Sequence, residues 1–253
     1  MNQTQDFTKG VIWKQLLFFF FPILIGSFFQ QLYNTVDTII VGQTVGTSAL
    51  AAVGSTGNLT NLIINFYVGL STGASVVIAQ YYGAQNNKKI HQAVHTSYSL
   101  AIVSGILMML FGLFFSYQCL DAIGTPHDIL TDATLYMQLY FLCMIPGAIY
   151  NIGAGILRAV GDSKRPLYYL IVCSIVNVVF DFIFVVIFHQ GIAGAAIATV
   201  IAQSVCAILV TIQLMRTNEV YKLTLSKMKF HLPVLKKIIM IGAPAGIQST
   251  MYS

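Results

Sequence analysis

The sequence predicts an all-α integral membrane protein: a six-helix transmembrane lobe and the opening of a further helix. Three observations carry that prediction. The 253 residues are 57% hydrophobic and only 8% charged, with a mean hydropathy of +0.77, whereas a soluble domain carries about 25% charged residues. The apolar runs each approach the roughly 20 residues that a helix needs to cross hydrocarbon, and in lipid a lone segment can satisfy its own backbone only as a helix. Finally, the basic residues collect in alternate connections between those runs.

Six spans are readable, near 14–40, 49–73, 93–116, 134–158, 167–188 and 191–215, and a seventh apolar run starts near Ile238. The expected organisation is a six-helix lobe over 1–216, a basic cytoplasmic linker over 217–237, and the start of helix 7 of a truncated second lobe over 238–253. Span 1 is long for one crossing. Pro22 in its middle removes a backbone donor and permits a kink. All thirteen Lys and Arg residues precede span 1 or lie in the 2–3, 4–5 and 6–7 connections, while the 3–4 loop carries Asp121, Asp128 and Asp132. That asymmetry predicts a multi-pass protein of the cytoplasmic membrane with its N-terminus inside. It also accounts for the net charge of +5 without nucleic acid. The first residues lack the features of a cleaved signal peptide, so the first helix is expected to be its own entry signal.

The 6–7 segment, RTNEVYKLTLSKMKFHLPVLKK, reads as an interfacial linker, part of it an amphipathic helix. The following IIMIGAPAGIQSTMYS echoes FFFFPILIGSFFQQLY of span 1. After an even number of spans, a second copy re-enters with the same orientation, the arrangement of parallel transporter halves.

Two aspartates stand out because they lie in hydrocarbon-depth runs, at a cost of roughly 3 kcal/mol each. Asp37 and Asp181 belong to polar stripes at helical spacing: Ser27, Gln30, Asn34 and Asp37 in span 1; Asn58, Asn61 and Asn65 in span 2; Ser174, Asn177 and Asp181 in span 5; Thr199 and Gln203 in span 6. Helices with one polar face each turn those faces together around a cavity. Interhelical packing glue is the plainer reading for Ser27, Gln203 and some of the span 2 asparagines. At about 1.5 Å per residue, Asp181 lies roughly 24 Å from Arg165 and Thr199 roughly 25 Å from Arg216. Asp37, Asp181 and Thr199 therefore share one level in the outer half of the bilayer. Carboxylates, an amide carbonyl and a hydroxyl at one level suit a small hard cation. Two such carboxylates can equally share a proton.

Other signals read as structural. His91 and His95 are spaced like a metal pair with no third ligand in register, and fit a polar helix end. Gly42/Gly46, Gly69/Gly73 and Gly242/Gly246 fit close helix packing or flexible points. Asn58-Leu59-Thr60 matches a glycosylation acceptor but lies within a span. Asp162, in RAVGDSKRP, fits an ion pair with a neighbouring base. The four cysteines show no CxxC and read as core-filling thiols.

Several segments together resemble the multidrug and toxic compound extrusion (MATE) transporters, in their DinF-like branch. They are PILIGSFFQQLYNTVDTIIVGQ, GASVVIAQYYGAQN, GILRAVGDSKRP, NVVFD and GAAIAT. The resemblance covers the whole chain, about the first half of a typical member. It implies a twelve-helix antiporter of two lobes, not an enzyme, that exchanges Na⁺ or H⁺ for small organic cations, with no cofactor and no metal beyond Na⁺. It implies a cation site of Asp37, Asn177, Asp181 and Thr199, with Asn151 at a further polar position of that site, while the polar stripes offer Gln30, Asn34, Asn61 and Asn65 as further cation or substrate cavity residues. Pro22 falls where a helix-1 bend is linked to cation binding. The implied partners are the lipid bilayer and the missing C-terminal six-helix lobe. A lipid-linked saccharide flippase is the alternative, but no Lys or Arg is expected at mid-span to meet a pyrophosphate. An intramembrane aspartyl protease needs a YD and a GxGD motif, and here Val36 and Phe180 precede the two aspartates. An inactive truncated fragment is the remaining alternative.

Overall fold

The computed structural model describes residues 12–44 and 47–251, and among them no strand occurs. The helices are α1 (Ile12–Thr44), α2 (Thr47–Gly83), α3 (Asn87–Ala122), α4 (His127–Phe141), α5 (Met144–Ala159), α6 (Lys164–Asp181), α7 (Gly191–Arg216) and α8 (Leu232–Met251). A π-helical segment, Phe182–Ile187, continues α6, and a 3₁₀ turn, Leu225–Lys227, lies before α8. Five helices are long and apolar enough to cross a membrane, and the pair α4–α5 makes a sixth.

Most spans extend beyond their apolar runs. α2 and α3 continue through polar sequence until Gln85, at φ 52°, reverses the chain, and Asn86 caps α3 by accepting from the Lys89 N–H at 3.1 Å. The expected single span 134–158 is instead two helices bent by 46°. Pro146 is the cause: in the first turn of α5 it cannot donate back to the carbonyl of Leu142, so α4 ends and α5 begins anew.

The main core joins α2, α3, α4, α5 and α7, while α1 packs chiefly on α6. Large apolar side chains such as Phe18, Phe28, Phe114 and Ile175 remain at least 60% exposed. In a protein bounded by lipid, such a surface needs no further burial. Two serines bolt α2 to α5, Ser71 donating to the Asn151 carbonyl at 2.6 Å and Ser75 to that of Gly155 at 2.9 Å.

The glycine pairs of α2 and α8 form a close seam. A Cβ on Gly69 would stand 2.5 Å from the Gly246 backbone, and one on Gly73 would stand 2.8 Å from the Gly242 nitrogen. Asn65 belongs to this seam, accepting from Ser249 at 3.0 Å. Gly46 and the Asn58 side chain lie outside the described residues.

Of the 6–7 segment beyond Arg216, only the last residues, from Leu232, are α-helical, as the start of α8; the rest folds back on α3. Tyr221 and Leu223 are buried at 1% exposure, and the Leu223 N–H donates to the carbonyl of Leu214 at 2.8 Å. His95, fully buried, holds the turn. Its Nδ1–H donates to the His91 carbonyl at 2.8 Å, which leaves Nε2 to accept from the Thr224 N–H at 3.1 Å. This pairing satisfies backbone that has no helical ladder of its own, and α8 then starts at Leu232, ahead of Ile238. Lys89 and Lys237 both stand 5.5 Å from the Tyr81 ring centroid, and Tyr221 lies near Arg165 and Asp162. The basic connections thus meet at one end of the bundle, called the basic face below.

Gly69→Ala is expected to lower the melting temperature by about 3 °C or more, whereas Gly83→Ala, with open space around it, leaves it unchanged or higher. Equal melting temperatures would contradict the seam. His95→Ala is expected to speed tryptic cleavage at Lys222 and Lys227 by about fivefold or more, read on gels; an unaltered rate would show that the histidine does not hold the linker.

Candidate functional site

Asp181 closes α6 where the α-helix passes into the π-helical segment, and it is fully buried. One turn earlier, Asn177 is 1% exposed, and its Nδ2 donates to Thr199 Oγ1 of α7 at 3.4 Å. The Thr199 hydroxyl in turn donates to the Ala195 carbonyl at 3.1 Å, which leaves its lone pairs facing α6. From α1 comes Asp37, half-buried, with its carboxylate near enough to Asp181 for like-charge repulsion. Tyr136 of α4 stands within electrostatic reach of both carboxylates. The structure thus brings Asp37, Asn177, Asp181 and Thr199 together from three helices.

Hydrogen-bond accounting sets this cluster apart. Asp37 Oδ1, Asn177 Oδ1 and both carboxylate oxygens of Asp181 are buried with no donor. Each buried acceptor left unpaired costs about 1–3 kcal/mol, more when charged. The Asn177 amide turns one N–H to Thr199, and its buried oxygen is left without a donor. Four acceptors without a donor are complementary to a cation or a proton. Among the described residues no three of His, Cys, Asp or Glu come together, so a cation here meets two carboxylates and neutral oxygens, a hard set suited to Na⁺.

The local backbone favours the site. A π segment shifts register by one residue and frees backbone groups, and such segments recur at functional positions. Here the Phe188 N–H reaches back to the Ile183 carbonyl at 2.9 Å. Beside the carboxylates lies a small apolar cluster of Val41, Tyr136, Val185, Ile192, Ala195 and Ala196, which keeps the local dielectric low.

The remaining predicted residues divide. Gln30 and Asn151 line a second cavity on the basic-face side, together with Pro22 and Gln203. Gln203 is not packing glue, because its Oε1 is buried without a donor. Asn65 lies in the α2–α8 seam and not in the cation cavity, since α8 covers that face of α2. Asn34 and Asn61 are exposed on faces that this chain leaves uncovered, while Ser27, whose hydroxyl donates to the Ile23 carbonyl at 3.2 Å, joins Gln30 at the open side of the second cavity. Sequence reasoning missed Tyr136, one of thirteen tyrosines with nothing in its spacing to mark it. It also put Arg158 in a connection, whereas Arg158 belongs to the last turn of α5 and its side chain lines the second cavity.

The MatE family profile matches residues 22–183, from the proline of α1 to just beyond Asp181. The chain belongs to the MatE family. Its relatives include the probable multidrug resistance protein YoeA of Bacillus subtilis (strain 168), 29% identical over 99% of this chain and 56% of YoeA. Among solved structures, a MATE protein in the straight conformation superposes with a TM-score of 0.89 at 27% identity, covering 98% of this chain and 55% of that one. A MATE protein in the bent conformation gives 0.83 at 28% identity, covering 89% of this chain and 50% of that one. The chain spans about half the length of the curated relatives it matches, as a single lobe of a MatE protein does.

Neutralising one unpaired carboxylate removes a buried charge and supplies a donor to oxygens that have none. Asp181→Asn is therefore expected to raise the melting temperature, measured in choline chloride, by about 3 °C or more. A fall would show that the Asp181 oxygens have partners after all.

Proposed function

We propose that this chain supplies the cation-coupling lobe of a membrane antiporter that exports small organic cations in exchange for Na⁺ or H⁺. The observation that carries the proposal is the set of four donor-less oxygens on Asp37, Asn177 and Asp181 beside Thr199. Relatives named for multidrug resistance and export support the direction of transport.

The physical sequence follows from α1. A cation or proton between Asp37 and Asp181 removes their repulsion and draws the outer half of α1 toward α6. Pro22 leaves the Phe18 carbonyl without its intrahelical donor, so α1 can change its bend there at lower cost than elsewhere. The exposed polar stripe of Ser27, Gln30 and Asn34 faces the cleft toward a second six-helix lobe. A lipophilic cation held by carboxylates between apolar walls loses its counter-charge when the coupling ion arrives, and is released. The lobes then exchange access by rocking, each state favoured by the ligand that binds it better. The basic face lies in the cytoplasm of a cell whose inner membrane holds the protein.

The test uses the full-length protein in everted vesicles, following efflux of a fluorescent organic cation under an imposed Na⁺ or H⁺ gradient. Asp37→Asn and Asp181→Asn are each expected to reduce coupled efflux by about tenfold or more at unchanged membrane levels. Wild-type rates in both would overturn the proposal. Saturable ²²Na⁺ binding to the purified protein, lost in Asp181→Asn, assigns sodium as the ion; proton release on drug binding without Na⁺ assigns the proton.

A further inference from the structure

On the basic-face side of the carboxylates, between α1, α5, α6 and α7, lies a half-open cavity of about 110 Å³. Its chemistry is opposite to that of the cation site. No acidic residue lines it, and Arg158 does. The Schellman turn that ends α5 holds this residue in place: Gly161, at φ 87°, donates to the Arg158 carbonyl at 3.0 Å, and the Asp162 N–H donates to that of Leu157 at 2.9 Å. The nearest acid in sequence, Asp162, is committed elsewhere, accepting from the Arg165 N–H at 3.1 Å and pairing with the Arg165 guanidinium at 3.2 Å.

The Arg158 guanidinium has five donors. Among the described residues it makes one long hydrogen bond, from Nη2 to Ser71 Oγ at 3.4 Å, and no ion pair. A cation at the edge of a membrane span, facing a cavity with its donors unspent, is complementary to an anion, and a guanidinium matches a planar carboxylate or a phosphate with paired hydrogen bonds. Across the cavity stand two amides with an oxygen to offer. Gln203 Oε1 is buried without a donor, and Asn151 uses its Nδ2 on the Gly147 carbonyl at 2.9 Å, leaving Oδ1 available. The third wall is α1, whose neighbouring apolar side chains, Phe18, Phe21 and Phe28, are more than 60% exposed.

We propose that this cavity binds the anionic head group, phosphate or carboxylate, of an amphiphile, with the anion on Arg158, a head-group donor on Gln203 or Asn151, and the chain along the exposed face of α1. A phospholipid and an acidic amphiphilic substrate share this chemistry. The site is distinct from the cation site, and binding to it is measured without transport, so its failure and that of the coupling mechanism are separable.

The test is native mass spectrometry of the full-length protein in neutral detergent, titrated with short-chain phosphatidylglycerol and, separately, with short-chain phosphatidylcholine. The wild type is expected to hold phosphatidylglycerol about tenfold more tightly. Arg158→Gln should lower that preference to near unity, Arg158→Lys should keep part of it, and Lys88→Gln on the basic face should leave it intact. Equal binding of the two lipids by the wild type, or an undiminished preference in Arg158→Gln, would overturn the proposal. If Arg158→Gln does not yield folded protein, Gln203→Leu provides the reading: a severalfold loss of phosphatidylglycerol binding supports the site, and no loss refutes it. Displacement of bound phosphatidylglycerol by millimolar inorganic phosphate shows that the free anion suffices, and retention shows that the amphiphile is required.

Discussion

Inside a bilayer there is no water to complete a hydrogen bond, and this constraint shapes every part of the chain. It makes the spans helical, and it makes their hydroxyls bond inward to their own helices, as Thr72 does to Val68 and Ser204 to Val200. It makes a glycine seam, rather than an apolar interface, the means by which α2 and α8 approach, because lipid tails compete with any greasy contact. Against that background the carboxylates of Asp37 and Asp181 are conspicuous. Among the described residues, buried oxygens without a donor are concentrated here, four of them on Asp37, Asn177 and Asp181. Under the proposed function, an arriving cation or proton relieves that cost, and the free energy of that event is what would move α1.

The elements of this site that could be read from the sequence are those whose signal is local. Asn177 and Asp181 are one turn apart on one helix, and a carboxylate at hydrocarbon depth is conspicuous in any apolar run. The convergence of Asp37 and Thr199 on them followed from depth counted along each helix, and the structure places them there. Tyr136 could not be found this way, because its part depends on where α4 bends into α5. Arg158 was misplaced for a related reason. Counting charges assigns it to a connection, but the Schellman turn extends α5 far enough to carry its guanidinium back along the helix. The linker misled because its alternation of apolar and basic residues fits a surface helix equally well. What decides the matter is a single long-range pairing, His95 to Thr224, separated by 129 residues, which no periodicity reports.

The two cavities share one wall, and that wall is the least supported helix. Only 17% of the apolar window of α1 is buried, against 50% for α2. α1 contributes Asp37 to the acidic site and Ser27 and Gln30 to the basic one. Between them Tyr33 is set near the thiols of Cys143, Cys173 and Cys206 at the middle of the helix. Pro22 interrupts the backbone ladder at the basic end. A helix pinned at Tyr33, weakened at Pro22 and lightly packed along the rest moves as a lever. A shift of α1 at Asp37 would therefore also change the width of the cavity at Gln30. The acidic and basic sites are therefore linked mechanically as well as by charge. If both sites bind as proposed, occupancy of either would change the affinity of the other through α1, and by reciprocity equally in both directions.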